Sequence, residues 1–140
     1  MSKANKRPRR SEVYMEVAQS FAKRSTCNRK AVGACVVRDN HILGTGYNGS
    51  PKGTDHCSSV GCDMEDGHCV RTVHAEINAI LSAAYNGVST KGAVLFSTAE
   101  PCFRCEKVIL NAGIEAVFYL EEYDDGRNGQ TNLVVRKMGI

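Results

Sequence analysis

Two short segments constrain this chain more than anything else in it: His74-Ala75-Glu76, and Pro101-Cys102-Phe103-Arg104-Cys105 further on. Each stands at the head of a stretch with helical periodicity. From Thr72 to Tyr85 the apolar residues Val73, Ile77, Ile80, Leu81 and Ala84 recur at helical spacing, with Thr72 as the expected N-cap and Gly87 as the stop. His74 and Glu76 then share the first turn. Two positions along a helix is a rotation of roughly 200°, so their side chains can converge only beyond the helix's N-terminus. In the second segment Pro101 suits the first helical position, Val108, Ile109 and Ala112 continue the period, and Gly113 ends it. Cys102 and Cys105 fall on one face of the opening turn, where unpaired N–H groups and the positive dipole end favour thiolate.

One imidazole and two thiolates between two helix starts make a three-ligand zinc site with a fourth position for water, and Glu76 is the carboxylate left beside it. A Cys-x-x-Cys pair alone reads equally as a redox couple or half of a zinc knuckle. In this order, with each segment opening a helix, the two point to a catalytic Zn²⁺ held by His74, Cys102 and Cys105.

The rest of the chain suits one compact enzyme domain over residues 1–140. At 140 residues and 42% hydrophobic content it can bury a real core. It has no run of 18 apolar residues and no signal-peptide core, so a cytoplasmic, non-membrane location is expected. Seven cysteines, an odd number with histidines nearby, suit metal ligation better than disulfides. The net charge of +3 is modest. The basic run Lys6-Arg7-Pro8-Arg9-Arg10 is expected to solvate a mobile start rather than to bind nucleic acid.

The order of elements follows from periodicity. Ser11 is placed to cap a helix whose Val13, Val17 and Phe21 repeat every four residues to about Arg24. Residues 31–38 read as a buried strand, Asp39-Asn40 as a turn, and Ile42 to Tyr47 as the hairpin partner. Residues 48–71 read as loop. Ala93 to Ser97 and Ala116 to Leu120 are strands around the cysteine helix, an alternation that implies parallel pairing. The segment with Leu133, Val134, Val135 and Met138 fits a helix or a strand.

A loop of about two dozen residues needs a reason to be ordered, and metal ligands supply one. Cys57, Cys62, His68 and Cys69 crowd into it beside His56, and Cys27 precedes the first strand. Cys27, Cys57, Cys62 and His68 are the preferred tetrahedral set for a structural zinc, with Cys69 and His56 as substitutes. Cys35 alternates within a strand and reads as core.

The segments Arg71-Thr72-Val73-His74-Ala75-Glu76-Ile77-Asn78-Ala79-Ile80 and Glu100-Pro101-Cys102-Phe103-Arg104-Cys105 resemble the cytidine deaminase superfamily, whose zinc signature is His-x-Glu with Pro-Cys-x-x-Cys. More narrowly, Gly46-Tyr47-Asn48-Gly49-Ser50-Pro51 and Arg24-Ser25-Thr26-Cys27-x-Arg29 resemble deoxycytidylate deaminases, including those of bacteria and phages. The resemblance runs from about residue 11 to about residue 125. It implies an α/β fold, a three-layer α/β/α sandwich with a mixed five-stranded sheet. It also implies hydrolysis of dCMP to dUMP and ammonia, a homohexamer, and control by dCTP and dTTP with Mg²⁺ accompanying the effector. Glu76 is the expected proton carrier, moving hydrogen from water to ring N3 and then to the departing amine.

Carried over residue by residue, Asn48 is expected to hold the sugar, Ala75 to touch substrate, and Arg29 and Tyr123 to meet the nucleotide and its 5′-phosphate. Arg29 reads equally as a solvated loop cation, Tyr123 as core or a subunit contact, and Asn48 as a turn residue. Gly46, Asn48, Gly49 and Lys52 form the expected effector segment, against a plain turn after the hairpin. Rival readings are a tRNA adenosine deaminase, a guanine or cytidine deaminase, and a noncatalytic zinc-stabilised module.

Overall fold

Both faces of the first strand are apolar, which demands cover on both sides of the sheet. The computed structural model describes residues 6–27, 30–65, 68–69 and 71–139 and supplies that cover. Helix α1 (Arg10–Ala22) leads into strands β1 (Gly33–Arg38) and β2 (His41–Tyr47). A short turn α2 (Cys57–Val60) and a two-residue hairpin, β3 (Met64–Glu65) and β4 (His68–Cys69), precede α3 (Ala75–Tyr85). Then come β5 (Val94–Ala99), α4 (Phe103–Asn111), β6 (Ala116–Glu121) and β7 (Val134–Lys137).

The five long strands form one sheet in the order β2-β1-β5-β6-β7. β1 runs antiparallel to β2 and β5, while β5-β6 and β6-β7 are parallel. The sheet is therefore mixed, as the resemblance implied. Partnered residues build the two cores. Val36 pairs with Leu95 and Leu95 with Val117, a row whose side chains join the cluster containing Ala79 of α3 and Ile109 of α4. The neighbouring row, Cys35, Phe96 and Phe118, meets Met15 and Ala18 of α1 from the other side, with the two phenylalanine rings stacked at 5.5 Å. Fully burying Leu95 or Ile109 contributes about 1.5–3 kcal/mol each. Cys35 is core, and burial pushes its thiol up to about 12.

Several expectations need correction. Ser11 does not cap α1; Arg9 does, its N–H donating to Glu12 Oε1 at 2.8 Å. The buried stripe of α1 is Met15 and Ala18, and Val13 lies exposed. Residues 48–71 are not uniformly loop, because backbone bonds such as Gly61 N–H to Cys57 O, 2.7 Å, close the turn α2. The open C-terminal choice resolves as strand: β7 has the open edge of β6 to pair with, in register from Ala116 with Val134 to Tyr119 with Lys137. Among the described residues no helix is long and apolar enough to cross a membrane.

Candidate metal centre

Two segments, one bridged to the chain just after β2 and one following the central strand β5, bring the ligand residues together. Val73 forms a two-bond bridge with Gly49, its N–H donating to Gly49 O at 2.8 Å and its O accepting from Gly49 N–H at 3.2 Å. That bridge holds the chain extended into His74, whose ψ of 151° makes it the N-cap of α3. Thr72 is therefore not the cap and His74 lies outside the first turn, because a residue locked in a β-bridge cannot adopt helical dihedrals. Asn78 anchors the helix start by donating to Tyr47 O at 2.8 Å and Val73 O at 3.2 Å. In the second segment Cys102 is the N-cap, with ψ 167°, so Pro101 precedes the helix instead of opening it. The Asp125 carboxylate takes the Phe103 N–H at 2.8 Å and marks where α4 begins.

The result gathers three ligand atoms. His74 Nδ1 lies 3.2 Å from Cys105 Sγ and 3.4 Å from Cys102 Sγ, and the three groups lie within 4.8 Å of one another. A tetrahedral zinc with Zn–S of about 2.3 Å and Zn–N of about 2.05 Å needs S···N edges of roughly 3.5 Å. The donor set and its spacing fit that ion.

Electrostatics in this cluster are those of a shared-proton network. The Cys105 thiol, helped by His74, holds Cys102 well below the usual thiol range, while the same contact with Cys102, together with burial, drives Cys105 upward. The hydrogen bond with Cys102 raises His74, against the opposing effect of burial. Glu76 occupies the second position of α3 and is 4% exposed. Burial pushes its carboxyl up to about 7, although His74, its own N–H and Lys30 pull the other way.

A second cluster unites Cys27, Cys57 and Cys62, whose sulfurs also lie within 4.8 Å of one another. Cys57 is buried, and Ser58 N–H donating to Thr26 O at 3.2 Å ties its turn to the Cys27 segment. His68 lies on β4, but its side chain falls outside the described residues, as do that of Cys69 and the whole of Arg29.

Asn48 is buried and held by backbone: Oδ1 accepts from Val32 N–H at 2.9 Å and Nδ2 donates to Lys30 O. Ala75, fully buried, opens α3. Gly46 sits inside β2 opposite Ala34, pressed against α3. Gly49 is buried at the bridge, while Lys52 is exposed, its Nζ 5.8 Å from the Tyr85 ring. Tyr123 is half-buried, and Lys30 Nζ lies 4.6 Å from its ring centroid.

Three residues with roles around the site were not singled out from sequence: Lys30, Glu106 and Asp125. For Lys30 and Glu106 no local signal exists. Asp125-Gly126-Arg127-Asn128 does carry an Asx-turn signature, with Oδ1 accepting from the N–H of Arg127 and of Asn128.

A His-Cys-Cys cluster with a buried acid, set on a mixed sheet between helices, defines a zinc-site enzyme class that acts on nucleobases. Residues 8–121 match the family described as the cytidine and deoxycytidylate deaminase zinc-binding region, and the chain belongs to that family. Within it the similarity is to deoxycytidylate deaminases, in agreement with the motifs at 24–29 and 46–51. The deoxycytidylate deaminase of Mycobacterium phage D29 is 40% identical over 128 residues, 83% of this chain and 98% of that protein. ComE operon protein 2 of Bacillus subtilis is 48% identical over 112 residues, 80% of this chain. The match spans only 59% of the Bacillus protein's length. Among solved structures, the dCMP deaminase of cyanophage S-TIM5 in complex with dCMP and dUMP superposes with a TM-score of 0.81 at 37% identity, over 95% of this chain and 99% of that one.

Proposed function

We propose that the chain is a zinc-dependent hydrolase that converts dCMP and water to dUMP and ammonia, supplying dUMP for dTMP synthesis in the cytoplasm. The observation that carries this reading is Glu76, a buried carboxyl at the start of α3, beside the His74, Cys102 and Cys105 cluster. A purely structural zinc site has no use for such an acid.

His74, Cys102 and Cys105 would hold the ion. When bound, zinc supplies Lewis acidity enough to bring the pKa of a water from about 15.7 to about 7. Glu76 takes a proton from the attacking water and delivers it to N3 of the pyrimidine, which makes C4 electrophilic, and the water oxygen bonds to C4. The same carboxyl then carries the remaining proton of that oxygen to the amino group as the C4–N bond breaks, leaving a C4 carbonyl and ammonia. Burial serves this exchange, since it raises the carboxyl's affinity for the proton it must carry.

Asn48, already pinned by Val32 and Lys30, presents a fixed amide for the sugar, and Ala75 offers backbone beside the base. Arg29 and Tyr123 serve the nucleotide and its 5′-phosphate. A second, structural zinc is held by Cys27, Cys57 and Cys62, with His68 as fourth ligand; the grouping of the three sulfurs supports it. The finer reading adds a homohexamer, activated by dCTP and inhibited by dTTP with Mg²⁺ on the effector, which would meet the segment Gly46, Asn48, Gly49 and Lys52. The resemblance stated above supports these last points.

Ammonia release from a panel of dCMP, dCTP, cytidine, guanine and adenosine-containing RNA tests the proposal. Turnover of dCMP well above the others is expected, with saturation that dCTP makes hyperbolic and dTTP depresses. Preferential turnover of RNA or guanine would overturn the substrate assignment, and a rate indifferent to dCTP and dTTP would end the regulatory part.

A further inference from the structure

The loop joining β6 to β7 is tied to the cysteine segment at three points that bracket both sulfurs. Ahead of Cys102, Glu100 Oε1 accepts from Tyr123 N–H at 3.2 Å. Between the two cysteines, Asp125 Oδ2 accepts from Phe103 N–H at 2.8 Å. After Cys105, Glu106 accepts from Gly129 N–H at 2.5 Å and from the Thr131 hydroxyl at 2.6 Å.

These ties are built features. Glu106 is 1% exposed, and a carboxylate so deeply buried is tolerated only with its oxygens satisfied, so the loop must stay seated on the helix. Asp125 is held in turn by the N–H groups of Arg127 at 2.8 Å and Asn128 at 2.6 Å. The Arg127 guanidinium rests 4.6 Å from the Phe103 ring centroid and closes the same contact. The helix grips the loop through Glu106, and the loop grips the helix's first N–H through Asp125.

We propose that this loop is a clamp on the two thiolates of the metal centre, with Asp125 as its positioning residue. By fixing the first N–H of α4, Asp125 fixes the direction from which Cys102 and Cys105 reach the metal. The inference rests on the zinc reading above. Groups behind metal ligands change metal affinity by roughly 10–100-fold when removed, because a ligand free to reorient lets the ion go.

The test uses zinc-loaded full-length protein with the variants Asp125→Ala and Asp125→Asn, and Asp124→Ala as a control. Asp124 lies in the same loop, and its Oδ1 accepts from Gly126 N–H within that loop. Zinc release to a chromophoric chelator is measured beside thermal melting, and the thiolate-to-metal absorption is recorded on cobalt-substituted protein. Asp125→Ala is expected to release zinc roughly 10–100-fold faster and to shift the cobalt band. Asp125→Asn should fall between it and the wild type, and Asp124→Ala should match the wild type. A folded Asp125→Ala protein with wild-type release and an unchanged band overturns the clamp. If Asp125→Ala gives no cooperative melt, Asp125→Asn decides by the same two readouts. Asp124→Ala releasing as fast as Asp125→Ala also overturns it, since any disturbance of the loop would then suffice. Wild-type protein that takes up no zinc would instead overturn the reading of the centre itself.

Discussion

Glu76 and Glu106 are both buried carboxylates, on different helices, and their surroundings assign them different work. Glu106 has hydrogen-bond donors on both oxygens and holds chain in place. For Glu76 burial is the largest influence, and its proton affinity rises. That contrast separates a structural acid from a proton carrier. Glu76→Gln keeps the shape, removes the exchangeable proton and leaves His74, Cys102 and Cys105 in place. It should retain zinc while kcat falls on the order of 10²–10⁴-fold. Metal content and steady-state rates on the same sample check this, and near-normal turnover would remove Glu76 from the chemistry.

At the scale of elements, the site depends on how closely α3 lies on β2. Gly44 and Gly46 face the helix backbone from alternate positions of the strand. A Cβ built on Gly46 would sit 2.4 Å from Ala79 N and 2.5 Å from Ala75 O. Backbone atoms cannot swing aside as a side-chain tip can, so the whole helix start must lift, and Ala75 lies between His74 and Glu76. Gly46→Ala should cost about 1–3 kcal/mol of stability and weaken zinc binding along with it. A variant with wild-type melting temperature and zinc affinity would show that the contact tolerates movement. The existence of α3 and α4 was legible in periodicity; their starts were not. Nothing local to Thr72 or Pro101 announces the Gly49 bridge or the Asp125 carboxylate, and those distant partners decide where each helix begins.

For the molecule as a whole, the proposed function calls for two ions per chain, and the described residues hold a candidate cluster for each, one at His74, Cys102 and Cys105 and one at Cys27, Cys57 and Cys62. Metal analysis of purified protein should return about two zinc per chain, falling to one in Cys57→Ser with the catalytic ion retained; a wild-type value of one would remove the second centre. The sequence alone determined the candidate donor types and the existence of the two helices that they cap or open, because His-x-Glu and Pro-Cys-x-x-Cys taken together have few uses. It also determined the strands of the mixed sheet up to β6, because alternation and length report burial directly. Tertiary structure decided the rest. β7 became a strand because β6 had an open edge, Asn48 is pinned because Val32 and Lys30 pass beside it, and Asp125 and Glu106 acquired partners more than twenty positions away. A hydrogen bond between residues so far apart leaves no periodicity in the chain, so it exists only once the sheet has brought the two segments within reach.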